Sequence, residues 1–164
     1  MDATSSSPDG DHRARMNGAL RAYGEGYDRV GRAFAASAGL YSTDAIALIE
    51  ILRAEEQGQP ISPARLSERI GLTSGATSTL LNRLESAGHI RRSRENVDRR
   101  VVTLHSTPGI QATADAFFDP LEVALAAVMD KYQPEDVGRL VVLLEELHST
   151  MQRFSSEHLP KSEG

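Results

Sequence analysis

Apolar residues recur along this chain at helical intervals in three long stretches. In the first, Met16, Leu20, Tyr23, Tyr27, Val30 and Phe34 are spaced 4, 3, 4, 3 and 4 apart. That is the heptad seam of a helix packed lengthwise on other helices, starting near His12. In the second, Thr107 caps, Pro108 opens, and Ile110, Ala114, Phe117, Leu121, Ala124 and Val128 repeat the same spacing. Pro120 interrupts it and predicts a kink or a restart, because an interior proline removes a hydrogen bond and clashes with the preceding turn. Pro134 opens the third, with Glu135 and Asp136 at its positive end and a stripe of Val137, Leu140, Val141, Leu144, Leu147, Met151 and Phe154. A shorter helix follows the break at Gly39-Leu40-Tyr41, capped by Ser42 or Thr43, with a stripe of Ala45, Ile46, Ile49 and Leu52. Gly24 and Gly31 lie seven apart on one face of the first helix; they reflect either close backbone approach or a weak helix.

The central stretch, residues 62–107, has a finer pattern. Ser62 is an N-cap and Pro63 a first helical residue. Leu66 and Ile70 give this short helix one apolar face, and Gly71 stops it. Thr73 caps a second helix whose inward residues are Ala76, Leu80, Leu81 and Leu84, and Gly88 ends it. Two helices joined by Gly71-Leu72-Thr73 have the turn length of a helix-turn-helix. The remaining positions of the second helix are small or hydrogen-bonding, which suits a helix pressed into a major groove. An ordinary solvated face would look the same, and the residues beyond Gly88 separate the two. Residues 90–93 and 101–105 are short β-rich runs around a charged loop. Arg91, Arg92, Arg94, Arg99 and Arg100 place five positive charges within ten residues, suited to phosphates and to the negative potential of a narrow minor groove. Ile61 is positioned to start a short strand against this hairpin.

The run LTSGATSTLLNRLESAGHIRR at residues 72–92, followed by Asp98-Arg99-Arg100 and Thr107-Pro108, resembles the MarR family of transcriptional regulators. Helix order and spacing match over residues 12–156, and the segment from Arg83 to Arg100 is the most specific. The resemblance implies a mainly α fold with a small β-hairpin: a winged helix-turn-helix flanked by long terminal dimerisation helices. The expected organisation is a disordered segment at 1–11, a dimerisation helix at 12–40, the DNA-binding domain at 41–106, dimerisation helices at 107–156 and a flexible tail at 157–164. The DNA-facing set is Ser74, Gly75, Thr77, Ser78, Thr79, Asn82, Arg83, Arg94, Asp98, Arg99 and Arg100. In such wings an aspartate orients a neighbouring arginine; Asp98 and Arg100 fit that spacing, leaving Arg94 and Arg99 for phosphates. The implied function is a sequence-specific regulator, a repressor, acting as a homodimer on a pseudo-palindromic operator in double-stranded DNA. A small-molecule effector is a further implication of the resemblance, with Phe34, Tyr41, Phe117 and Phe118 as its candidate lining; aromatics at helical spacing are more often simple core, and that is the favoured reading of these four.

Composition changes this picture little. The net charge of −5 at first opposes a nucleic-acid partner. It arises in residues 111–164, with 4 basic and 10 acidic groups, whereas residues 41–110 hold 9 basic and 8 acidic. Screening over about 8 Å makes the local charge of the wing the one that counts. The chain has no cysteine, so a thiol redox switch and thiolate metal sites are excluded. No apolar run reaches membrane-spanning length and residues 1–12 lack the pattern of a secretory signal, so a cytoplasmic protein without membrane association is expected.

Enzyme chemistry finds no support. His12, His89, His105, His148 and His158 form no metal-binding pair, no phosphate loop follows a strand, and no nucleophile elbow is present. His89 and His105 read as surface residues flanking the wing, and Glu55-Glu56 and Glu145-Glu146 as solvated helix faces. No catalytic residue, cofactor or metal is expected. The competing reading is a winged-helix module that binds protein and not DNA, since fold does not fix function.

Overall fold

The computed structural model describes residues 8–94 and 102–158. In chain order these form α1 (Pro8–Ser37), α2 (Ser42–Glu56), α3 (Pro63–Ile70), α4 (Ser74–Ser86), β1 (Ile90–Ser93), β2 (Thr103–Ser106), α5 (Pro108–Met129) and α6 (Pro134–His158). The chain divides into two units, residues 1–49 and 50–164.

In the first unit, α1 begins at Pro8, four residues before the expected start. It ends where Gly39 takes φ 66° and Leu40 N–H reaches back to the Ala35 carbonyl at 2.8 Å, the left-handed stop that glycine permits. Of the α1 seam, only Phe34 is fully buried; Met16, Tyr23 and Tyr27 are exposed. A Cβ added at Gly24 or Gly31 would meet nothing within 4 Å, so no close approach within one chain demands glycine there. The first turn of α2 hangs on the Tyr41 carbonyl, which accepts from Ala45 N–H at 3.0 Å. Tyr41, not Ser42 or Thr43, therefore occupies the cap position. The expected stripe of α2 is rotated as well. Ala45, Ala47 and Leu48 are buried, whereas Ile46 is 52% exposed. Apolar residues occur on several sides of this helix, so periodicity left its inward face undecided.

In the second unit the local signals of α3 and α4 act as expected. Ser62 Oγ accepts from Arg65 N–H at 3.3 Å, Pro63 is in the first turn, and Gly71 closes α3 at φ 66°. Thr73 Oγ1 accepts from Ala76 N–H at 3.3 Å, and Gly88 adopts φ 73° beyond α4. Ser67 Oγ donates to the Leu72 carbonyl at 2.5 Å, fixing the intervening turn. The buried face of α4 is Thr77, Leu80, Leu81 and Leu84, an i, i+3, i+4, i+7 set. Ala76, expected inward, is exposed. The expectation followed hydrophobicity at a position where the helical phase selects a threonine.

The hairpin is antiparallel with Ile90 opposite Ser106 and Ser93 opposite Thr103. Ile61 forms no strand but accepts one backbone bond, from Leu104 N–H at 2.9 Å. Thr107, expected to cap α5 with its side chain, makes no such bond. Its hydroxyl donates instead to the Gly88 carbonyl at 2.8 Å, and its N–H to the His89 carbonyl at 2.9 Å. It thus ties the start of α5 to the end of α4. Helix α5 runs unbroken through Pro120, so the restart does not occur. Its first turns bury Ile110 and Ala114, while Val123, Leu125, Val128 and Met129 are exposed. On α6, Leu140, Val141, Val142, Leu143 and Leu144 are all exposed.

Thr77 Oγ1 is buried and, among the described residues, has no hydrogen-bond partner. A buried hydroxyl without a partner is destabilising, and valine has the same shape without it. Thr77→Val is therefore expected to raise stability by about 1 kcal/mol, read as a thermal midpoint higher by roughly 2–4 °C. A lower midpoint would mean that the hydroxyl is satisfied.

Candidate nucleic-acid interface

Helix α4 presents an outward face of Ser74, Gly75, Ser78, Thr79, Asn82 and Arg83, all exposed. Thr77, expected to share it, is 2% exposed and belongs to the core. Thr79 turns its hydroxyl back to the Gly75 carbonyl at 3.1 Å, leaving its methyl group as the outward feature. A Cβ at Gly75 would meet nothing within 4 Å. Nothing in the chain itself demands glycine at this point of the helix's first turn.

Beside that face stands the hairpin. Arg91, Arg92 and Arg94 are exposed. Arg92 reaches across to α4: Nη1 donates to Glu85 Oε2 at 2.5 Å and Nη2 to Asn82 Oδ1 at 2.9 Å. In the sequence, Arg92 does not stand apart from the general positive charge of the wing. Its distinguishing signal is a spacing of seven from Glu85 across a glycine stop and a strand start, legible only once both elements are placed. Asp98, Arg99 and Arg100 lie outside the described residues.

What holds the hairpin against the helices is a carboxylate. Glu55 of α2 accepts from Ser106 N–H at 3.0 Å through Oε2, which also accepts from the Ser106 hydroxyl. Its Oε1 lies 3.0 Å from His105 Nδ1. A carboxylate only accepts, so His105 carries a proton on Nδ1. His105 Nε2 then meets Thr103 Oγ1 at 3.1 Å, and Gln111 of α5 donates to Ser106 Oγ at 2.8 Å. The side chains of His105 and Glu55 are only 19% and 18% exposed. Neither is the solvated surface group expected of it. A second carboxylate, Glu50, pairs with Arg53 at 3.3 Å and with Arg69 of α3 at 3.3 Å, joining α2 to the first helix of the helix-turn-helix.

The four aromatic residues expected to line an effector site differ in exposure. Phe34 is fully buried and Tyr41 is 71% exposed. Phe117 and Phe118 are half-buried and meet edge to face at 5.0 Å.

A short helix, a glycine turn, an exposed polar helix and an arginine-bearing hairpin in this order constitute a winged helix-turn-helix. The family model that matches, over residues 38–101, is that of the MarR family. The chain is similar to the MarR family over those residues. It is 27% identical over 122 residues to the HTH-type transcriptional regulator YcgE of Bacillus subtilis, covering 70% of this chain and 77% of that protein. Among solved structures, a MarR family protein from Bacillus stearothermophilus aligns with a TM-score of 0.62 at 18% identity, over 90% of this chain and 99% of that one. A MepR variant from S. aureus bound to an oligodeoxyribonucleotide aligns with a TM-score of 0.50 at 14% identity, over 83% and 97%. At such identities these structures speak for the fold, which is mainly α with a two-stranded hairpin. The Bacillus subtilis relative is named as a transcriptional regulator.

Removing Glu55 leaves the Ser106 N–H, its hydroxyl and His105 Nδ1–H without their acceptor. Glu55→Ala is expected to cost about 2 kcal/mol, within the range for unsatisfied buried donors. It should appear as a lower urea midpoint at unchanged slope, with Glu55→Gln intermediate. An unchanged midpoint in Glu55→Ala would show that the carboxylate is not what anchors the hairpin.

Proposed function

We propose that this protein is a MarR-family regulator, a sequence-specific repressor that binds a pseudo-palindromic operator in double-stranded DNA as a homodimer. The observation that carries the reading is the pairing of α4, with its exposed face of small and hydrogen-bonding residues, and an arginine-rich hairpin beside it. A helix of this kind approaches base edges in the major groove while the hairpin meets the backbone and the adjacent minor groove. The MepR variant of the same fold, solved with an oligodeoxyribonucleotide, supports it. Repression is the simplest output, because a protein seated on an operator excludes other proteins from it.

The dimer is supported by what one chain leaves open. At about 100° per residue, the exposed run Leu140 to Leu144 covers the whole circumference of α6. With Tyr23 and Tyr27 of α1 also exposed, this is far more apolar helix surface than a monomer ordinarily shows. A second copy is the partner that a closed two-fold assembly provides. Two α4 helices would then meet successive major grooves about 34 Å apart, matching a pseudo-palindrome.

Ser74, Gly75, Ser78, Thr79, Asn82 and Arg83 form the groove-facing set. Arg100 enters the minor groove, oriented by Asp98, and Arg94 and Arg99 contact phosphates. A small apolar or aromatic effector that releases the DNA belongs to the same proposal, with Phe117 and Phe118, half-buried and in contact, as its first candidates. A cytoplasmic site of action follows from the DNA partner, and among the described residues no single helix is long and apolar enough to cross a membrane.

Titration against operator and random DNA at two salt concentrations tests the central claim. Phosphate contacts make affinity fall steeply with salt; a salt-insensitive partner interaction, or no DNA binding, would favour the protein-binding alternative. Asp98→Ala is expected to weaken operator binding although it removes a negative charge, because the arginine loses its orienting partner and must be ordered on binding. Tighter binding would overturn the orienting role. Sedimentation at micromolar concentration is expected to give a dimer, and a well-folded monomer would remove that part of the proposal.

A further inference from the structure

We infer that Arg92 decides which base edge Asn82 reads, by holding the amide oxygen and turning the amide N–H2 toward the groove. This rests on the reading of α4 as the recognition helix. Asn82 and Glu85 are three residues apart and so lie on one face of α4. Arg92 grips both, with Nη1 2.5 Å from Glu85 Oε2 and Nη2 2.9 Å from Asn82 Oδ1. The Arg92 and Glu85 side chains are partly sheltered, at 30% and 39% exposure.

The chemistry of the fork settles the orientation of the amide. A guanidinium has only donors, so the group of Asn82 that faces it is the carbonyl oxygen. The N–H2 is left pointing elsewhere and has no partner among the described residues. An unconstrained asparagine recognises adenine with both ends of its amide, accepting from N6 and donating to N7. Here the accepting end is engaged by a cation. What remains for the groove is a donor, which suits an edge made only of acceptors. Guanine, with O6 and N7, offers two such acceptors; adenine must share the Oδ1 that Arg92 already occupies, thymine offers the single acceptor O4, and cytosine offers a donor against a donor. Glu85 completes the arrangement. It anchors the arginine from below, and its own charge is neutralised where it would repel the DNA backbone.

The test is a selection of binding sites from random DNA with the full-length protein. Asn82→Ala marks the position read by Asn82, as the one place in each half-site where preference flattens. The wild type is expected to select guanine there. In Arg92→Met the amide is free, and preference is expected to move toward adenine by about tenfold, the order of one good base contact. Arg92→Lys keeps the charge, and hence the salt dependence, but a single ammonium does not span both partners in the planar fork geometry. The same shift in that variant separates loss of the grip from loss of a phosphate contact, and it gives the answer if the methionine variant does not fold. Guanine retained in both Arg92 variants, adenine selected by the wild type, or no position flattened by Asn82→Ala overturns the inference. A wild type without any sequence preference overturns the recognition-helix reading itself.

Discussion

Two strands of four residues, Ile90–Ser93 and Thr103–Ser106, do not make a stable sheet by themselves. The hairpin exists in this place because the Glu55 carboxylate collects its donors. Through Oε2 it binds the backbone and hydroxyl of Ser106, and through Oε1 the imidazole of His105. Ser106 in turn accepts from Gln111 of α5. One side chain on α2 thereby sets the relation of three elements, and the Leu104–Ile61 backbone bond adds a fourth point of attachment. A partly buried carboxylate is worth keeping only when its oxygens are satisfied, and here they are.

The position of the wing then decides the chemistry of the exposed face of α4. Because β1 starts just beyond the Gly88 turn, Arg92 stands over the last turns of α4 and binds Asn82 and Glu85. The proposed apparatus for reading DNA is therefore joined across two elements. The orientation of an exposed side chain on α4 is specified by a residue of the hairpin, and through it by the packing that Glu55 maintains. Thr107 contributes to the same end by closing the gap between the end of α4 and the start of α5.

The rest of the chain is built differently. The second unit has a true interior around Leu66, Leu80, Leu84 and Leu104, each 2% exposed or less, but much of α5 and all of the central α6 run remain open. Polar networks and a small core hold the winged helix-turn-helix together within one chain. The long helices carry apolar surface that one chain does not cover. Burial of that surface is the principal stabilisation still available to the protein, which is why association and DNA binding go together in the proposed dimer.

Signals acting within one turn of helix were legible in the sequence. Ser62 with Pro63, Gly71, Thr73 and Gly88 delimit α3 and α4 because caps and left-handed stops depend on neighbours three or four residues away. The β-rich runs and arginine content of the hairpin were legible for the same reason, as was the family resemblance. Tertiary structure decided the remainder. Helical phase put Thr77 inside and Ala76 outside, against their polarity. Glu55 and His105, each of which looks like a surface charge in the sequence, became the anchor of the wing through partners about fifty residues apart. Arg92 was one arginine among five until the hairpin placed it over Asn82. A side chain's role is set by what stands opposite it, and sequence spacing carries that information only while both partners lie in one element.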